Sequence, residues 1–147
     1  MSAEWVIFLH AVSTWAMVGL IWFVQVVHYP LYATVHEAAF VSYVVRHNRR
    51  TGWVVGPLML TEVGTALALC RVELGSVSPY MPLAGLGLLL LIWGSTAGLQ
   101  VPCHRRLERG YDLATIRRLV ATNWVRTIGW TARGGLAVWI LQVGERG

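Results

Sequence analysis

Residues 5–30, WVIFLHAVSTWAMVGLIWFVQVVHYP, set the architecture of this chain. The stretch is apolar and long enough to cross a bilayer, for which about 20 residues at roughly 1.5 Å each suffice. Its polar side chains recur at steps of three or four residues, so they share one face of a helix. Linked through Met17 and Ile21, that face carries His10, Thr14, Gln25 and His28. Such a helix buries its polar stripe and turns its apolar faces to lipid.

The composition is that of a membrane protein. The 147 residues are 56% hydrophobic and only 13% charged, whereas a soluble domain carries about 25% charged residues. The mean hydropathy is +0.56. A cleaved signal peptide is not expected, because the first apolar run exceeds an h-region of roughly 7–15 residues and has no basic stretch before it. We expect a single transmembrane domain over residues 1–147.

Four apolar segments predict an all-α integral membrane four-helix bundle with short amphipathic segments on the cytoplasmic side. The expected spans are residues 5–28, 51–70, 80–101 and 124–143. Pro30 and Pro102 are expected to close the first and third spans, because proline lacks the backbone donor that a helix interior needs. Residues 31–50 are expected as a surface helix or as a turn into the second span, and residues 112–123 as a short helix.

The arginines predict the orientation. All 12 basic residues are arginine, and most of them lie in the first and third connections, whereas the second contains only Arg71. The positive-inside rule therefore places both termini outside, as expected for a bacterial inner-membrane protein whose basic connections meet membrane lipids. The net charge of +5 does not predict nucleic-acid binding, because most of the arginines flank the apolar segments, at the expected boundaries of the membrane.

Polar residues of all four spans are expected to converge near the cytoplasmic surface. Their depth follows from the distance of each residue to the end of its span. The layer contains His28, His47, Thr51, Gln100, His104, Asn123 and Arg126, with Gln25 about one turn deeper. A polar cavity near this side of the bundle follows from that convergence.

A second polar group is expected near the midplane. Glu62 and Arg133 lie at matching depth in the second and fourth spans. A lone charge at that depth is costly, so opposite charges are commonly paired. We predict a contact between them with a structural or proton-relaying role, and His10 is expected to extend this group outward.

The leading functional hypothesis is a haem- or metal-dependent oxidoreductase acting on a lipophilic substrate. His28 and His104 are the predicted ligands of haem b or a transition metal, and His47 is a third candidate metal ligand. The predicted catalytic residues are Glu62, Arg133 and His10. The residues expected to orient the cofactor or substrate are Gln25, Gln100, Asn123 and Arg126.

Two alternatives stay open. In the first, a metal-free enzyme or binding protein takes a lipophilic molecule into an aromatic-lined slot, and His28 or Glu62 acts as acid or base. In the second, a small transporter or channel uses the polar stripes for ion passage. Four spans are few for transport, so this alternative calls for a homo-oligomer.

The first span also resembles a known family. His10, Ser13–Thr14–Trp15 and His28–Tyr29 resemble the four-helix haem-binding protoporphyrinogen oxidases and related copper-resistance-type membrane domains. The phrases FVQVVHYPLY and LVATNWVRTIGWTARG are similar to a group of bacterial four-span proteins of unknown function. The resemblance implies a related bundle and a haem or metal. This chain has no lysine to match the functional lysine of the oxidase family.

Overall fold

The chain forms a bundle of four long helices in the computed structural model, which describes residues 2–72, 74 and 77–144. Helix α1 is Ala3–Thr34, α2 is Glu37–Leu69, α3 is Tyr80–Leu107 and α4 is Leu113–Gly144. Every regular element in these residues is helical. The expectation of an all-α four-helix bundle is therefore confirmed. Three of the helices, α1 to α3, are long and apolar enough to cross a membrane.

The helices are longer than the sequence analysis predicted. Helix α2 starts at Glu37, so most of the stretch at 31–50 belongs to the same helix as residues 51–69 and is not a separate surface helix. Helix α4 starts at Leu113, so the short helix expected at 112–123 is continuous with the helix over the expected fourth span. The expected amphipathic segments are mostly the ends of long helices. With 33 residues, α2 measures about 50 Å, which exceeds the roughly 30 Å of a hydrocarbon core.

Pro30 and Pro102 do not end their helices, contrary to expectation. In both cases a widened π turn lies just before the proline, at Val24–His28 in α1 and at Thr96–Gln100 in α3. Proline donates no hydrogen bond, and its ring crowds the carbonyl four residues earlier. The wider turn relieves this crowding, so the helix continues. Both π turns lie in the layer of polar residues expected near the cytoplasmic surface, here called the inner polar layer. Such turns are frequent at functional sites.

The starts of α2 and α4 are fixed by capping side chains. His36 Nδ1 accepts a hydrogen bond from the backbone N–H of Ala38 at 3.4 Å. Asp112 accepts hydrogen bonds from the backbone N–H of Ala114 and from the hydroxyl of Thr115, at 3.0 and 2.8 Å. The bonds from the Thr115 hydroxyl and backbone, followed by the nearby Arg106, hold the pKa of the Asp112 carboxyl below its ordinary value. These contacts satisfy backbone donors that a helix start leaves free.

Helices α1 and α4 form the centre of the bundle. Helix α1 packs along α2 and α4, α4 also packs along α3, and contact between α2 and α3 is sparser. Two glycines of α4 allow close approach: a Cβ at Gly129 would lie 2.7 Å from Ile92 Cγ1, and one at Gly134 would lie 3.1 Å from Val18 Cγ2. The seam between α2 and α3 is consequently looser than the three seams made by α1 and α4.

Several charged side chains are buried within the bundle, and many large apolar side chains are exposed on its outside. Arg126 is 8% exposed, Arg133 1% and Glu62 0%, whereas Trp53 is 78% and Ile128 64% exposed. Helix α4 contains four arginines, of which Arg126 and Arg133 are buried and Arg117 and Arg118 are exposed. From Trp124 onwards its exposed side chains are mainly apolar, a distribution that is typical of helices that face lipid.

We expect Gly129→Ala to destabilise the protein and Gly135→Ala to leave it unchanged or more stable. The new methyl at position 129 overlaps Ile92, and overpacking costs about 1–3 kcal/mol, which outweighs a helix-propensity gain of at most about 1 kcal/mol. A Cβ at Gly135 meets no atom within 4 Å. The free energy of unfolding in detergent, from denaturant titration, checks both variants. Equal stabilities for the two would contradict the close packing of α3 on α4.

Candidate functional site

The Glu62 carboxylate is the hub of the second polar group, the one expected near the midplane. It accepts hydrogen bonds from the Thr14 hydroxyl, the Trp130 indole N–H and Arg133 Nε, each at 3.0 Å. These donors come from α1 and α4, whereas Glu62 belongs to α2. The predicted contact between Glu62 and Arg133 is confirmed as a buried ion pair.

The Arg133 guanidinium also connects this hub to α3. Its Nη1 group donates a hydrogen bond to the backbone carbonyl of Gly85. A Cβ at position 85 would lie 3.7 Å from that nitrogen, which is an ordinary van der Waals contact. Groups from all four helices therefore meet at one buried charge pair.

His10 extends the hub outward, as the sequence predicted. Its Nδ1 lies 3.0 Å from the Thr65 hydroxyl oxygen, and that hydroxyl also lies 2.8 Å from the backbone carbonyl of Thr61. Since a hydroxyl has one proton, a Thr65 that donates to the carbonyl accepts from an Nδ1–H of His10. The cavity beside His10 and Arg133 has a volume of about 10 Å³. That space is near the minimum for one water molecule, so this group is too closely packed to hold an organic substrate.

The inner polar layer is held by three amides. The Gln25 side chain donates to the Val120 carbonyl at 3.1 Å and accepts from Asn123 and Thr127 at 2.9 and 3.2 Å. Gln100 donates to the Thr122 hydroxyl at 3.0 Å. Gln25 and Asn123, predicted to share a site, are thus in direct contact, and Gln100 contacts α4 at the neighbouring Thr122.

An open groove lies beside this layer, between α2 and α3. Its volume is about 440 Å³, within the usual range of ligand pockets. Polar groups from all four helices line it, and Gly52, Val55 and Val101 supply apolar wall. The polar lining residues are Tyr29, His47, Asn48, Thr51, Thr96, Gln100, His104, Arg105, Glu108 and Arg126.

Two histidines line this groove, His47 and His104, and His28 lies behind His47. His28 Nε2 lies 2.8 Å from His47 Nδ1, and the two rings stack with centroids 4.2 Å apart. The Tyr29 hydroxyl lies 2.9 Å from His104 Nε2. Each pair is a short hydrogen bond that shares one proton, so the groove borders two groups able to exchange protons with a bound molecule.

This arrangement is not a ready-made metal or haem site. His28 Nε2 lies against His47 Nδ1, and His104 Nε2 is hydrogen-bonded to the Tyr29 hydroxyl. Within residues 2–72, 74 and 77–144, no group of three or more His, Cys, Asp or Glu side chains is placed to hold a metal ion. Ligation of haem b or a metal by His28, His104 and His47 stays a prediction.

Arg126 is the charged residue of the groove floor. Its Nη1 donates to the amide oxygen of Asn123 at 3.1 Å, and its guanidinium lies 5.3 Å from the centroid of the Trp130 ring. No carboxylate in the described parts of the chain pairs with it. Its Nε and the Nδ1 of His104 are buried and have no hydrogen-bond partner there.

Three residues contact predicted site residues without having been predicted to do so. Thr65 did not stand out from the sequence, and Tyr29 and Trp130 stood out only as aromatic residues that could line a slot. Trp130 and Tyr29 had the appearance of interface aromatics, because tryptophan and tyrosine are enriched at membrane surfaces. Only the helical spacing of Trp130 from Arg133, three residues along α4, could have indicated its inward direction.

Comparison of the chain with protein families, curated proteins and solved structures gave no match. The resemblance of the first span to haem-binding oxidases therefore stays a prediction. The site has to be interpreted from its own geometry.

We expect Glu62→Ala to lower the free energy of unfolding by about 3–5 kcal/mol, because it leaves a buried arginine without its counter-charge. Glu37→Ala, which removes an exposed carboxylate from the same helix, should change it by no more than about 0.5 kcal/mol. Denaturant titration of both variants in detergent measures the difference. Similar values for the two would show that the hub does not hold the helices together.

Proposed function

We propose that this protein is an integral membrane protein that binds a lipophilic molecule in the groove between α2 and α3. The apolar part of the ligand would lie against the lipid-facing wall, and its polar head would enter the inner layer. One observation carries the proposal: a groove of about 440 Å³ combines an apolar wall with a polar floor at a loosely packed seam. A lateral opening between helices suits a molecule that arrives from the bilayer.

Membrane insertion is supported by what the helices expose. Large apolar side chains, among them Trp53, Leu60 and Ile128, point away from the bundle, and the charged side chains of the hub point inward. The arginine distribution favours a bacterial inner membrane with both termini outside. In that orientation the groove lies near the cytoplasmic surface, where a lipophilic molecule keeps its polar head.

Packing favours a binding groove over a pore through the bundle. The Glu62 hub closes the centre of the four helices, and the cavity beside it holds only about 10 Å³. A channel needs a continuous polar path, whereas here the larger space opens sideways between two helices. Transport by a homo-oligomer was an alternative in the sequence analysis, and this geometry gives it no support.

The groove is chemically equipped to do more than bind. The Tyr29–His104 and His28–His47 pairs border it and can supply or remove a proton at the head of the ligand. Such groups would serve an oxidoreductase acting on a lipophilic substrate as well as a carrier. We therefore keep binding as the proposed function and proton exchange at the head as the chemistry that these residues offer.

The haem or metal version of this function has its own test. Ligation by His28 and His104 predicts a Soret band or a stoichiometric metal in protein purified in detergent, and its loss in His28→Ala and His104→Ala. An optical spectrum with elemental analysis measures both. A colourless, metal-free preparation that still binds lipophilic probes would refute this version and leave the binding function intact.

Binding can be mapped with a long-chain alkyl probe that carries a photoreactive diazirine. In lipid nanodiscs, we expect labelling of α2 and α3 along the groove wall. Gly52→Trp should abolish it, because position 52 lines the groove and a side chain there meets open space. Gly64→Trp is the matched control, since Gly64 lies on the same helix with equally open surroundings outside the groove. Labelling that resists Gly52→Trp would contradict the proposed site.

A further inference from the structure

Two buried arginines on α4 differ in how their charge is balanced. Arg126 and Arg133 are seven residues apart, which places both on one face of the helix. Arg133 is paired with Glu62 at 3.0 Å. Arg126, only 8% exposed, has no carboxylate partner in the described parts of the chain. Burying an unpaired charge is costly in any environment and most costly in a membrane.

The contacts that Arg126 makes within the chain do not replace a counter-ion. Asn123 offers one neutral amide oxygen, the Tyr29 hydroxyl lies close to the guanidinium, and Trp130 offers the face of its ring. Each of these interactions is weaker than pairing with a carboxylate or a phosphate. In the described parts of the chain, Arg126 Nε has no hydrogen-bond partner and neither has the nearby His104 Nδ1. The floor of the groove therefore has a surplus hydrogen-bond donor at Arg126 Nε and an unbalanced positive charge.

The other charges at the groove do not reach this cation as a salt bridge. Glu108 lines the mouth, where its carboxylate accepts from the Asn48 amide at 2.7 Å. Arg105 lies at the same mouth and adds a second positive charge. With neutral histidines, the lining has two positive charges and one negative charge. This balance favours an anion inside.

We infer that the head of the ligand is anionic, a carboxylate or a phosphate group, and that it pairs with Arg126 at the floor of the groove. This inference rests on the proposed function, since the groove has to be a binding site before its head group can be specified. A planar guanidinium suits both head groups, because two of its N–H groups can bind two oxygens at once. The same recognition chemistry could serve an acidic lipid or a free phosphate, which the experiment separates.

The experiment uses the full chain in lipid nanodiscs with two photoreactive probes of equal chain length, a fatty acid and a fatty alcohol. The fatty acid should bind about 10- to 100-fold more tightly than the alcohol, as expected for a charge-assisted hydrogen bond in place of a neutral one. Arg126→Gln should remove most of this preference, because it should weaken binding of the fatty acid much more than binding of the alcohol. Arg118→Gln, an exposed arginine of the same helix, is the control and should leave both affinities unchanged.

Competition with inorganic phosphate identifies the source of the anion. If phosphate displaces the fatty acid, the site accepts a water-soluble anion. If phosphate does not displace it, the anion belongs to a lipid. Both results support an anion at Arg126. Equal affinity for acid and alcohol, or an acid preference that survives Arg126→Gln, overturns the inference. In that case groove labelling that Gly52→Trp still blocks would leave the proposed function standing.

A stability measurement gives a second, independent readout. Without ligand, Arg126→Met should melt at the same temperature as the native chain or higher, because it removes an unbalanced buried charge. Arg133→Met, on the same face, should melt lower, because it leaves Glu62 unpaired. Adding the fatty acid should raise the melting temperature of the native chain and not that of Arg126→Met. A lower melting temperature for ligand-free Arg126→Met would show that the chain itself balances this charge and would overturn the inference.

Discussion

A fully buried carboxylate, Glu62, is the constraint on which the rest of the structure depends. It is balanced by Arg133 and by hydrogen bonds from Thr14 and Trp130, while Arg133 also reaches the Gly85 carbonyl. Each of the four helices contributes a group, so depth and rotation of all four are fixed together. The desolvation of two charges offsets much of their attraction, which makes such a pair a source of specificity more than of raw stability. The ion pair therefore selects one arrangement of four helices whose apolar faces alone would allow several.

That arrangement leaves α2 and α3 only loosely joined, and the inner groove occupies the seam between them. The π turns before Pro30 and Pro102 also shape the groove, because they keep α1 and α3 helical beyond their prolines. Tyr29 and His104 could not meet at 2.9 Å if both helices had stopped at the π turns. On the same face of α4, Arg133 is balanced by the chain and Arg126 is not. One face of α4 thus contributes Arg133 to the packed hub and Arg126 to the open, positively charged groove.

The sequence predicts well how deep each polar residue lies along its helix, and predicts poorly which neighbouring helix its side chain faces. A rise of about 1.5 Å per residue is enough to place Glu62 and Arg133 at one level and the inner polar residues at another. It does not give the rotation of each helix, so His28 was paired with His104, whereas it contacts His47 and His104 contacts Tyr29. Helix ends were also missed, because proline is normally a helix breaker and nothing in the residues around Pro30 or Pro102 indicates a π turn. Tertiary packing decides both features.

The central claim is that the groove holds an acidic amphiphile whose head pairs with Arg126. Native mass spectrometry of the full chain, released from bacterial membranes in mild detergent, tests it most directly. The account predicts a bound acidic lipophilic molecule at one per chain, kept in Arg118→Gln and lost in both Arg126→Gln and Gly52→Trp. Identical spectra for the native chain and Arg126→Gln, or a native chain that carries no such mass, would contradict it.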